Sequence, residues 1–158
     1  MMKKLFKTND ELAPLILRLA LAVVMFPHGA QKVLGWFGGH GFSATMSSFT
    51  EKMHIPAPFA FLAILAEFGG SLALFFGLLT RISAFGIGTT MAVAIFMGHA
   101  QNGFFMNWSG KQTGEGFEYH ILAIAIALAL MCQGGGKLAL DSMIYRKLNN
   151  ADAFPKKV

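Results

Sequence analysis

Residues 57–79 read APFAFLAILAEFGGSLALFFGLL, an apolar run with a single carboxylate, Glu67, near its middle. A helix rises about 1.5 Å per residue and the hydrocarbon core of a bilayer is about 30 Å thick, so this run is long enough to cross a membrane. A carboxylate at such depth is costly unless it is neutral, paired or facing water, which makes Glu67 a candidate functional residue. Gly69, Gly70 and Ser71 follow it, and small residues there admit a close neighbouring helix.

The rest of the 158-residue chain agrees with that reading: 54% of it is hydrophobic and 13% is charged, against about 25% charged in a soluble domain. The one cysteine, Cys132, excludes an internal disulfide and multi-thiolate zinc or iron–sulfur sites. The net charge of +5 does not gather into a basic patch with interleaved aromatics, so nucleic acid is not the expected partner; the bilayer is.

Outward from residues 57–79, further spans are expected at 12–33, 82–102 and 117–133. The fold class is therefore an all-α four-helix transmembrane bundle. Pro27 falls inside the first span and should kink it. A cleavable signal peptide ending near Ala22 is rejected, because Arg18 interrupts its apolar region. Phe42, Met46, Phe49 and Met53 recur at helical spacing, predicting an amphipathic helix at about 43–54 with Ser43 as N-cap, lying on the outer membrane surface. Ala84, Gly88 and Ala92 form a small-residue stripe on the third span. Gly134, Gly135 and Gly136 stop the fourth span. A short inner helix at about 141–148 is expected to start on Asp141 as N-cap, with a polar tail at 149–158. Thus 1–148 form one domain.

Loop charges set the orientation. Lys3, Lys4, Lys7, Arg81, Lys137, Arg146, Lys147, Lys156 and Lys157 share one side, against Lys52 and Lys111 on the other. The positive-inside rule places both termini in the cytoplasm. Both tryptophans, Trp36 and Trp108, then lie at the outer interface. Phe26–Gln31 and Phe96–Gln101 align at three positions, which a helical-hairpin duplication or chance would explain.

Each span then carries an ionisable group into the outer half of the bundle. His28, Gln31 and Lys32 share one side of the first, and His99 and Asn102 one side of the third. Glu118 and His120 open the fourth, two residues apart and so on different sides. Glu67 is the expected proton carrier, and His28, Gln31, Lys32, His99, Asn102, Glu118 and His120 are the expected ligand-binding set. For Lys32 alone, an interfacial side chain facing headgroups is the plainer expectation. Arg18, in the inner half of the first span, is expected to snorkel to the interface or to pair with Glu67. Structural roles are expected for Arg18, Gly69 and Gly70. Haem between His28 and His99 lacks any further signature, and one candidate ligand per helix gives no diagnostic metal spacing, so no metal is assigned. The ten methionines are read as packing and lipid contacts.

Several short motifs together resemble the DoxX family of small bacterial membrane proteins. They are Leu17-Arg18-Leu19, His28-Gly29-Ala30-Gln31-Lys32, Glu67-Phe68-Gly69-Gly70, Gly77-Leu78-Leu79-Thr80-Arg81, Asn102-Gly103-Phe104, and Gly134-Gly135-Gly136-Lys137-Leu138-Ala139-Leu140-Asp141. The resemblance covers residues 12–148; the proline usual among the terminal glycines is lacking. It implies four spans in a bacterial inner membrane, and an association of some relatives with quinone-linked sulfur oxidation or oxidative-stress complexes. The expected function is a quinone-interacting subunit of a membrane redox system, inactive alone, with a soluble or membrane redox partner and the outer helix as lid. A proton or small-solute carrier, or a scaffold recruiting soluble enzymes through its basic inner end, are the alternatives.

Overall fold

The computed structural model describes residues 2–153. Its elements are α1 (Met2–Phe6), α2 (Leu12–Val33), α3 (Gly41–Ser47), α4 (Ala57–Phe76), α5 (Thr80–Ala94), α6 (Glu118–Gln133) and α7 (Leu140–Ala153). α3 runs on through a π-helical turn, Ser48–Lys52, and α5 through a π-helical turn, Ile95–His99, and a 3-10 turn, Ala100–Asn102.

Helices α2, α4 and the combined Thr80–Asn102 segment are long and apolar enough to cross a membrane, and α6 is a shorter apolar helix of 16 residues. α2 packs against α4 and α6, α4 against α5, and α5 against α6, which closes a four-helix ring. Leu21, Met25, Leu74, Ile87, Met91 and Leu130 fill its centre. Aromatic and aliphatic side chains such as Phe59, Phe85 and Leu122 face outward, where lipid is as good a solvent for them as the core. The chain is a multi-span helical membrane protein.

The element ends follow local chemistry. Pro56 and Pro58 open α4. Gly77 closes it in the left-handed region at φ 66°, where glycine pays no Cβ penalty. The α4–α5 connection is only Gly77, Leu78 and Leu79, so the two helices are antiparallel neighbours. Gly134, at φ 84°, ends α6 as expected. Pro27 lies within α2, and the helix continues through it. α3 starts on His40 rather than on Ser43.

The end of the bundle that carries α1 and α7 departs most from expectation. Arg18 is buried at 2% exposure and does not reach the interface. Its guanidinium donates to the carbonyls of Gly135 and Leu74, each at 2.9 Å, and to those of Phe75 and Lys137. Those carbonyls belong to a helix end and the glycine turn, where negative partial charge gathers, and that of Leu74 also accepts from the Gly77 N–H. Arg18 therefore fastens α4 and the turn after α6 onto α2; it forms no pair with Glu67.

Asp141 does not cap its own helix. Its carboxylate accepts from the backbone N–H groups of Leu79 at 2.7 Å and Thr80 at 2.8 Å, capping α5 instead. α7 also runs further than predicted, taking in Asn149 and Asn150. Of the expected polar tail, residues 154–158 lie outside the described residues.

Candidate functional site

The site begins with a close approach of two backbones. A Cβ on Gly29 would lie 2.5 Å from the Phe68 Cα, so α2 and α4 touch there through the missing side chain. That crossing, rather than one at Gly69 or Gly70, brings the helices together. Extra atoms at Gly70 would meet Ile87 at an ordinary 3.5 Å, and at Gly69 the flexible Leu65 side chain.

One residue from the crossing, Glu67 is 4% exposed. Its Oε2 lies 2.5 Å from the Nζ of Lys32, one helical turn beyond Gly29. Lys32 also donates to the His28 carbonyl. Lys32 is thus drawn inward as the partner of Glu67, not spread among headgroups: a charge in a low-dielectric interior is held by its counter-ion.

The pair lies on the wall of a cavity of about 500 Å³, within the range of small-molecule sites. α2 supplies His28 to it, the end of the α5 segment supplies His99, and α6 supplies Tyr119 and His120. The rings of His99 and His120 lie 4.1 Å apart, centre to centre. His99 Nδ1 is 2.9 Å from the Glu115 carbonyl. The His28 ring is 6.4 Å from that of Tyr119, whose hydroxyl approaches the Met25 sulfur at 3.6 Å.

The remaining wall is apolar. Phe49, Met53 and Ile55, from the π-helical turn after α3 and the chain beyond it, form one side. Val93 and Met97 line the cavity and are also 46% and 42% exposed. Below Met25 and Met91, the buried layer of Leu21, Leu74, Ile87 and Leu130 closes it toward the end of the bundle that carries α1 and α7.

Five of the expected site residues thus converge on one cavity: Glu67, His28, Lys32, His99 and His120. The others serve the frame. Gln31 turns away and donates to the Phe37 carbonyl, holding the glycine loop after α2. Asn102 donates to the carbonyls of Gly98 and Glu115. Glu118 accepts from the Met106 backbone N–H at 2.9 Å and from the Trp108 indole, so it pins the outer loop and is not on the cavity wall. Gly69, Gly70 and Arg18 lie off the cavity wall too.

Tyr119 and the methionines were not foreseen as site residues. Met91, Ala94 and Gly98 repeat at three- and four-residue steps, which signals a shared face. Glu115 lies in an irregular loop and carried no signal. Among the described residues, no group of three or more His, Cys, Asp or Glu side chains is placed to hold a metal ion.

Comparison with known proteins gives a consistent set of relatives. A family model described as DoxX matches residues 13–100. An uncharacterized protein of Haemophilus influenzae is 32% identical over 84% of this chain and 83% of its own length. The Escherichia coli protein named Inner membrane protein YqjF is 29% identical over 92% of this chain and 99% of its own. A Bacillus subtilis protein named Putative oxidoreductase CatD is 28% identical, covering 90% and 94%. No solved structure matches the chain.

Proposed function

The chain belongs to the DoxX family, and from that premise we propose that it is a quinone-binding subunit of a redox system in a bacterial inner membrane. The observation that carries the reading is the mixed character of one cavity. Polar groups able to meet a quinone carbonyl, at Lys32, His28 and His99, share it with methionine, valine and phenylalanine walls suited to a ring and an isoprenoid chain. Entry between Val93 and Met97, the exposed residues of the cavity wall, would give a lipid-dissolved ligand a route that avoids water.

In this reading Lys32 is the polarising cation, held in place by Glu67. His28, His99 and His120 are the groups that exchange protons with the ligand. The π-helical turn behind α3 forms the movable wall. Electrons come from a partner protein, since the chain has no nucleotide-binding loop. The names of two relatives, one an inner membrane protein and one an oxidoreductase, fit this place and role.

The test is a quinone titration of the purified protein in detergent, with organic extracts assayed for co-purified quinone. Saturable binding is expected, weakened about 10-fold in Lys32→Met, the loss of roughly one charged hydrogen bond. Absence of both saturable binding and extracted quinone sinks the proposal. Passage of a solute is disfavoured by the packed inner layer. Recruitment of enzymes through the basic inner end predicts instead that cavity substitutions are silent.

A further inference from the structure

The quinone reading gives His99 and His120 a protonic role but leaves unexplained why a bare ring nitrogen and several thioethers meet in the same cavity. His120 is 6% exposed, and its Nδ1 is buried with no hydrogen-bond partner. A buried ring nitrogen left bare forfeits about 1–3 kcal/mol, so such an atom calls for an explanation. His99 stands 4.1 Å away, ring centre to ring centre. Its Nδ1 faces the Glu115 carbonyl at 2.9 Å. A carbonyl can only accept, so this contact places the proton on Nδ1 and leaves Nε2 with a free lone pair. Histidines that bind metals are oriented in this way, with the second ring nitrogen donating to a backbone carbonyl.

The donors around the pair are soft. Met25, Met53, Met91, Met97 and Met106 all line the cavity, half of the ten methionines in the chain. Sequence spacing read them as scattered packing residues; the fold gathers them from α2, the end of the π-helical turn after α3, α5 and the outer loop. Among the described residues no third His, Cys, Asp or Glu joins the histidine pair in a metal-holding group. That disfavours zinc, manganese or ferrous iron, which take four or more nitrogen, oxygen or thiolate ligands. Thioether sulfur selects Cu(I), a d¹⁰ ion content with two or three ligands.

We propose that His99 and His120, with thioether sulfur from the cavity methionines, form a binding site for a single Cu(I) ion. The site shares His99 and His120 with the quinone reading but takes its remaining ligands from the methionines and needs neither Lys32 nor Glu67. Lys32, already paired with Glu67, is the one lysine or arginine on the cavity wall among the described residues.

The test is an anaerobic titration of the purified protein with Cu(I), in competition with the chromophoric chelator bicinchoninate. One Cu(I) per chain should be withdrawn from the chelator. His120→Asn and His99→Gln should each weaken binding by at least about 10-fold, the loss that even outer-shell changes around a metal produce. A Lys32→Leu, Glu67→Leu double variant, which adds no thioether and strands no charge, should still bind one Cu(I) per chain, and this separates the site from quinone binding. X-ray absorption on the loaded wild-type protein should show both nitrogen and sulfur around copper, a readout that survives misfolding of either histidine variant. Failure to compete with the chelator overturns the proposal, as do a shell of nitrogen and oxygen alone and tighter binding of Zn(II) than of Cu(I).

Discussion

At Gly29 a single hydrogen atom decides whether α2 and α4 can meet. Gly29→Ala would put a methyl group 2.5 Å from a backbone carbon that cannot swing aside. Overpacking of this kind costs typically about 1–3 kcal/mol, so the variant should melt at a lower temperature in detergent. Gly98→Ala is the control: nothing lies within 4 Å of the added carbon there, and its melting temperature should stay near that of the parent. The Lys32–Glu67 pair poses a different question at this scale. Lys32→Met strands a carboxylate that is 4% exposed. A loss of roughly 1–3 kcal/mol is expected, less than for a fully buried pair because Lys32 is partly exposed. Adding Glu67→Leu should restore most of it, since the stranded charge is then gone; a double-mutant cycle in thermal melts reads the coupling. Burial marked Glu67 as special from the sequence alone. The sequence offered only Arg18 as its partner and expected Lys32 among headgroups; both lie on α2, and depth against α4 selects Lys32.

Elements are joined here by side chains that satisfy the helix ends of other elements. Arg18, on α2, binds the last carbonyls of α4 and the glycine turn after α6; Asp141, on α7, binds the first N–H groups of α5. Asp141→Ala removes both contacts and should destabilise by about 1–2 kcal/mol, the upper part of the range for a lost cap. Proteolysis at residues 137–140 should quicken, since that segment is held by the same knot. Replacing Arg18 by Leu leaves several carbonyls unpaired and should cost more than Asp141→Ala, as judged in the same melts. The sequence suggested a local N-cap for Asp141 because capping rules are local. A cap supplied from 61 residues away cannot be read from neighbours in the chain. The end of α6 was legible, because three successive glycines stop a helix whatever surrounds them.

For the molecule as a whole, the expected orientation puts Lys3, Arg81 and Lys147 in the cytoplasm and Lys111 outside. A cysteine placed at Lys111 in an otherwise cysteine-free chain should react with a membrane-impermeant maleimide in whole cells whose outer membrane is permeabilised. One placed at Lys147 should react only after lysis. The reverse pattern would turn the cavity toward the cytoplasm. The cavity itself is a whole-molecule property. It draws on α2, α4, α5, α6 and two outer segments, and no pair of these would enclose it.

The sequence alone determined that this is a bundle of membrane-crossing helices, where α2 and α6 stop, and that ionisable groups lie at unusual depth. Those features depend on composition and on short-range steric rules that hold within a few residues. Only the tertiary structure decided that Lys32 rather than Arg18 answers Glu67, and that Glu118, Gln31 and Asn102 hold loops. It also decided that methionines from distant segments line one chamber. These outcomes turn on how each helix is rotated and raised against its neighbours, and shifts of a few ångströms that leave every periodicity unchanged would reassign each contact.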